Sequence, residues 1–210
     1  PQRPSMESEF EPRVLNGRPR QQPQQTPPAA VFGDGLPRAT YLREAAQRTL
    51  ALVHTRTPAF ERLVAFWSNH FTVSVQRPPV LALAGAFERE AIRPHVLGRF
   101  EDMLLAVARH PAMLLYLDNA ASIGPGSRAG QLRQRGLNEN LGREILELHT
   151  LGVNGGYSQD DVRALAMVLT GWSIARPQDE RPGHFMFRQL AHQPGDKTLL
   201  GKRYGGGESE

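Results

Sequence analysis

The sequence predicts a mainly α-helical fold: a single irregular domain of about six or seven helices, with a small β-hairpin or extended flap near the C-terminus. Three observations carry that prediction. Apolar residues recur at three- and four-residue spacings along most of residues 39–169, the pattern of helices that bury one face. Proline and glycine stand at the joints of those runs, where they start and stop helices. Past Gly171 the pattern changes to short aromatic and aliphatic runs separated by turn residues.

Residues 1–37 hold eight of the seventeen prolines, with Gln21-Gln22-Pro23-Gln24-Gln25-Thr26-Pro27-Pro28 at their centre. Proline removes donors and fixes φ, and large apolar residues are few here. The stretch reads as an extended Pro/Gln-rich arm or linker ahead of a helical domain over 38–210. The first helix is expected at 39–54, with Leu42, Ala46, Leu50 and Val53 at helical spacing. Thr57-Pro58 offers an N-cap and a first-turn proline to the second, whose inward stripe is Phe60, Leu63, Val64, Trp67 and Phe71. Pro78-Pro79 opens a third helix that ends at or before Arg93-Pro94. A fourth is expected from His95 to Arg109, with Phe100, Leu104, Val107 and Ala108 inward. His110-Pro111 breaks the chain and starts a short helix through Leu117.

Residues 119–136 carry four glycines and one proline and read as a long loop, of a length that is often functional. A helix follows from Asn138 to Leu151, closed by Gly152. After the turn Asn154-Gly155-Gly156, Ser158-Gln159-Asp160-Asp161 is a capping-box start for a helix through Leu169, which Gly171 stops. His184–Phe187 and Lys197–Leu200, on either side of Pro194-Gly195, read as the arms of the hairpin or flap.

Composition narrows the function classes. A hydrophobic fraction of 40% and 22% charged residues suit an ordinary packed domain. No run of eighteen apolar residues is present to span a membrane. The absence of cysteine excludes disulfides, thiolate metal sites and a cysteine nucleophile. The net charge is +4, and only Lys197 and Lys202 of the 25 basic residues are lysine. The arginines are scattered among acidic residues, so nucleic acid is disfavoured as a partner. No initiator Met or apolar leader begins the chain and the end is glycine-rich, so it reads as a processed product or a fragment.

The candidate chemistry gathers on the 138–151 helix. At 100° per residue, Leu137, Leu141, Ile145 and Leu148 form its buried stripe, and Asn140, Arg143, Glu144 and Glu147 lie beside that stripe. Asn140 and Glu144 are four apart, as are Arg143 and Glu147, so each pair can touch. Glu144-x-x-Glu147 puts two carboxylates on one face, a spacing that suits a divalent metal or acid–base work, although no specific metal motif is present. Arg143 or Arg89 would partner a buried Glu144. His149 points about 160° from Glu147 on a continuous helix. It falls near the helix C-terminus, where an imidazolium is favoured. His70 lies on the flank of the aromatic stripe, where a lone histidine is more often a hydrogen-bonded core residue. Arg89-Glu90 and His95 flank the Pro94 break, where polar residues commonly cap helix ends. The His192–Thr198 run lacks the glycine spacing of a phosphate loop.

One series of motifs, in order, resembles a known family. Its members are Arg62-Leu63-Val64-Ala65-Phe66-Trp67-Ser68-Asn69-His70-Phe71-Thr72, Arg89-Glu90-Ala91-Ile92-Arg93-Pro94-His95, and the stretch from His110-Pro111 to Asp118-Asn119. The series continues through Gly136–Asn140, Arg143–Val153, Gly155-Gly156-Tyr157 and Leu169-Thr170-Gly171-Trp172. Over residues 40–205 the chain resembles the bacterial domain-of-unknown-function family DUF1800. Gly142 departs from the family pattern, which commonly has alanine there. The resemblance implies a longer, exported parent protein at the periplasm or cell surface, and it brings no activity and no residue roles.

Two functions fit these residues. One is an exported hydrolytic enzyme, with or without a metal's assistance, with Glu144 as base or ligand beside Glu147. Asn140 and Arg143 would position Glu144, and His70 would join from another face. Asn138, His149, Arg89 and His95 would serve binding. The other is a non-catalytic helical scaffold or binding module for a partner protein or glycan, in which the polar residues fix helix register.

Overall fold

The computed structural model describes residues 36–133 and 136–206, so the expected Pro/Gln-rich arm lies almost wholly outside the described residues. Eight α-helices and two short antiparallel strand pairs make up the described residues. The helices are α1 (Leu36–His54), α2 (Pro58–His70), α3 (Pro78–Phe87), α4 (Phe100–Arg109), α5 (Pro111–Tyr116), α6 (Arg128–Arg133), α7 (Asn140–Glu144) and α8 (Gln159–Leu169). The strands are β1 (Trp172–Ile174), β2 (Phe185–Phe187), β3 (Lys197–Leu199) and β4 (Lys202–Tyr204).

The core lies where α2, α3, α4 and α5 meet. Val64, Phe71, Met103, Val107, Met113 and Leu114 are each at most 2% exposed there. α1 packs on α3, α7 on α8, the β1–β2 ribbon on α5, and the β3–β4 ribbon on α8. Two helices end in π-helical turns: α3 runs on into Glu88–Ile92 and α7 into Ile145–Thr150. In each, an amide reaches back five residues, Arg93 N–H to the Glu88 carbonyl and Leu151 N–H to the Leu146 carbonyl. The wider turn admits an extra residue and shifts the inward face of everything that follows it.

Four expectations change. The stripe foreseen on α1 faces solvent, with Leu42 55% and Val53 70% exposed. α1 instead lays Glu44 over Gly85 of α3, where a Cβ would fall 1.8 Å from Glu44 Oε2. Arg89 donates to Glu44 at 3.1 Å and Arg48 pairs with Glu88 at 2.5 Å, so ion pairs rather than leucines face the neighbouring helix. α4 begins at Phe100 rather than at His95. Pro94 starts a 3-10 turn (Arg93–His95), and the Gly98 amide closes on the His95 carbonyl at 2.9 Å before the helix restarts.

The 119–136 stretch is not bare loop, since it contains a 3-10 turn (Asn119–Ala121) and α6. The C-terminal strands do not pair with each other across Pro194-Gly195. β2 pairs with β1, and β3 pairs with β4. Leu200 and Gly201 both have positive φ (51° and 74°), the backbone that closes a tight two-residue hairpin and so ties β3 to the strand next to it.

Candidate functional site

Asn138 is held as a structural cap. Its Oδ1 accepts from the Asn140 amide at 2.8 Å, and its own amide donates to Ser122 Oγ at 3.1 Å. Asn140 itself is exposed. Four residues into the helix the π-helical turn rotates the inward face. Leu146 and His149 turn into the core while Leu148, expected inside, is 53% exposed.

His149 is 5% exposed, edge-on to Phe71 at 5.0 Å between ring centroids and 6.1 Å from His70. Its Nδ1 has no partner among the described residues. Burial, helped by the neighbouring His70, pushes its pKa down to about 4. That burial opposes the imidazolium expected at the helix end. A helix dipole offers a cation roughly 0.3–1 kcal/mol, whereas a fall from 6.5 to about 4 corresponds to ~3 kcal/mol against the charge. His70 stacks on Phe66 and donates from Nε2 to the His149 carbonyl at 3.1 Å, so it ties α2 to this helix.

Of the polar face, Glu144 and Glu147 stay together. Burial and the Glu147 charge raise the Glu144 pKa above the ordinary carboxylate range. The Tyr157 phenol lies near Glu147, and its pKa is raised chiefly by desolvation, with the Glu147 carboxylate adding to the rise. Arg143 turns away from both expected partners. Its Nη2 donates to Glu139 Oε2 at 3.2 Å and to Gln159 Oε1 at 2.9 Å, because those acceptors lie at the α7–α8 contact. Arg89 is engaged with Glu44, and His95 ends the 3-10 turn after the first π-helical turn. Among the described residues no group of three or more His, Cys, Asp or Glu side chains is placed to hold a metal ion.

Two polar clusters escaped the sequence reading. Glu61, 8% exposed, takes both Nη atoms of Arg93 at 2.9 and 2.6 Å, and Arg93 Nε reaches Glu88 at 3.2 Å. The Arg93 hydrogen bond holds the Glu61 carboxyl below its ordinary pKa. On the opposite side of the same π-helical turn, Glu90 meets His110, which sequence marks only as a helix breaker. Alternation cannot reveal either cluster, because a π-helical turn sends neighbouring acids to opposite sides.

A wide concavity lies elsewhere, between the 120–132 segment and the β1–β2 ribbon. It is a groove of about 1120 Å³ with Ile123, Leu132, Ile174, Met186 and Leu190 among its walls. Arg128, Arg176 and Arg188 also line it. Arg188 Nη2 donates to the Ile174 carbonyl at 2.8 Å, and burial lowers its pKa. Arg188 also pairs with Asp179 at 3.6 Å, whereas Arg128 and Arg176 form no ion pair among the described residues. The wall is built by close backbone approach. Gly124 donates to the Ala191 carbonyl at 2.9 Å, and a Cβ at Gly124 would come within 2.6 Å of the Gln193 backbone. Asn119 fixes the other side. It is 1% exposed and its Nδ2 donates to the Leu169 and Trp172 carbonyls at 3.2 Å each.

The family model described as "Protein of unknown function (DUF1800)" matches residues 11–210. This chain belongs to the DUF1800 family. No curated protein and no solved structure matches it. In this DUF1800 chain, two of the motifs that carry the resemblance fall on the π-helical turns: Arg89–His95 overlaps the first and Arg143–Val153 contains the second. A third, Leu169–Trp172, is the junction that Asn119 holds. Gly142 also gains a reason. A Cβ there would meet the α8 backbone at Ala166 N (3.0 Å) and Val162 O (3.1 Å), so glycine lets α7 and α8 approach closely.

Proposed function

We propose that this DUF1800 chain is a binding module whose groove takes an apolar, acid-bearing segment of a partner protein. The groove carries the reading. Its volume of about 1120 Å³ exceeds the roughly 300–1,000 Å³ of small-molecule pockets, which suits several side chains of an extended segment. Its aliphatic walls reward burial of apolar side chains. Arg128 and Arg176 offer guanidinium forks that match carboxylates, and Arg188, already bonded to the Ile174 carbonyl and 3.6 Å from Asp179, adds positive charge. Phe187 is the one aromatic ring among its lining residues, a poor platform for stacking a sugar. The bacterial, exported setting implied by the family resemblance belongs to this proposal.

The test is fluorescence polarisation with a labelled peptide that alternates leucine and glutamate. Arg176→Gln with Arg188→Gln should weaken binding about tenfold or more, the effect of ~1.4 kcal/mol. Ala129→Trp should fill the groove and abolish it. Unchanged affinity in both variants refutes the groove as the site.

One observation favours a second reading, an acid–base site on the 138–151 helix: Glu144 has a raised pKa beside Glu147 and Tyr157. Under it, Glu144→Gln removes a slow hydrolysis from a panel of chromogenic esters and glycosides while the melting temperature holds. Identical rates and pH profiles for both proteins across the panel dispose of it.

A further inference from the structure

Behind the groove lies a second, much smaller cavity of about 10 Å³, enough for a single water-sized group. Leu83, Pro111 and Gly183 line both, so the two cavities adjoin across these residues. Its polar lining is Glu90, His110 and His184.

Hydrogen bonding fixes what each of these can do. The Ala112 amide donates to His110 Nδ1 at 3.1 Å, so in the neutral ring that nitrogen is bare and Nε2 carries the hydrogen. Nε2 faces Glu90 Oε2 at 3.5 Å. His184 Nδ1 lies 3.2 Å from the Pro182 carbonyl, which can only accept, so Nδ1 carries the hydrogen and Nε2 is an acceptor. The Glu90 side chain is 8% exposed, and its Oε1 has no partner among the described residues. The lining thus holds a buried, unpartnered carboxylate oxygen, Glu90 Oε1, together with His184, whose Nε2 can accept.

Such a site demands a small group with several hydrogens, and a positive charge there offsets the buried carboxylate. A metal ion fits poorly, because His110 presents a hydrogen rather than a lone pair and only two ligands remain. We propose that this cavity is a subsite for a primary ammonium group, the lysine side chain of the segment bound in the groove. The aliphatic stem of such a lysine would cross Leu83, Pro111 and Gly183, and its head would donate to Glu90 and His184. The subsite thus adds a cation requirement to the acid-bearing segment, and it rests on the groove reading above.

The experiment separates the two. The full chain, with its histidine rings labelled, is titrated with n-butylammonium chloride and, in parallel, with n-butanol at pH 7. Butylammonium should move the His184 and His110 ring resonances saturably, and butanol should not. Glu90→Gln should lose the effect at least tenfold in affinity. His184→Gln serves as the second variant if Glu90→Gln does not fold, and it should weaken binding in the same direction.

No shift with butylammonium, an equal shift with butanol, or unaltered affinity in the folded variants overturns the proposal and leaves a structural water site. The leucine–glutamate peptide then gives the other arm. Adding one lysine should tighten binding in wild type, and acetylating that lysine should reverse the gain. If the peptide binds and lysine gains nothing at any position, the subsite fails and the groove stands. If the peptide does not bind while butylammonium does, the groove reading fails and the cation subsite stands alone.

Discussion

Mild acid should destabilise this protein through a single buried ring. His149 has a pKa of about 4 when folded, against an ordinary value of 6.5. Between those values the unfolded chain binds the proton and the folded chain refuses it, so stability falls as pH is lowered through that window. Integrating the linkage from pH 7.5 gives a loss of about 2 kcal/mol by pH 5 and about 3 kcal/mol by pH 4. The measurement is urea unfolding at pH 7.5, 6 and 5 for wild type and His149→Gln.

The difference between the two proteins should shift by about 2 kcal/mol in favour of the variant on going from pH 7.5 to 5. Other groups cancel in that difference. The lowered His192 pKa acts in the same direction in both proteins, and the raised Glu144 pKa acts oppositely in both. Glu61, Asp161 and Asp196 have lowered pKa values, so their losses come at lower pH. Parallel pH curves for the two proteins would refute the burial of an uncharged His149. They would place the ring in solvent and return the helix to an unbroken α-helical register.

Three further substitutions test the packing. Gly142→Ala gains about 1 kcal/mol of helix propensity but drives a methyl against the α8 backbone at 3.0–3.1 Å, a strain of about 1–3 kcal/mol. The melting temperature should drop, and a rise would show that α7 and α8 can part freely. Asn119→Leu strips the Leu169 and Trp172 carbonyls of their shared donor and should cost about 2–4 kcal/mol. Hydrogen exchange should quicken first at the α8–β1 junction, and unchanged protection there would contradict that role. Ser158→Ala removes the hydroxyl that accepts from Asp161 N at 3.1 Å and should lower stability by about 1 kcal/mol in chemical denaturation.

Much of this molecule is legible in its sequence because helix punctuation is local. Pro58, Pro78 and Pro111 start helices where proline costs no hydrogen bond. Ser158 and Asp161 form the capping box that their spacing announces. The stripe on α2 is largely right, with Val64 and Phe71 buried, although Leu63 remains 41% exposed. The pairing of Glu144 with Glu147 also follows from spacing alone.

What the tertiary structure decided is where those faces point and who meets whom. A π-helical turn needs no special residue. It follows from how Ile145–Thr150 packs, and it exchanges Leu148 for His149 in the interior. The first π-helical turn likewise sends Glu88 to Arg93 and Glu90 to His110, two partners that no 3.6-residue projection brings together. The groove is assembled from segments 53 and 67 residues apart, through Asn119 on Trp172 and Gly124 on Ala191. Local propensity fixes where a helix begins and ends. Contacts between distant segments set its register, and the register decides which polar residues are brought into a site.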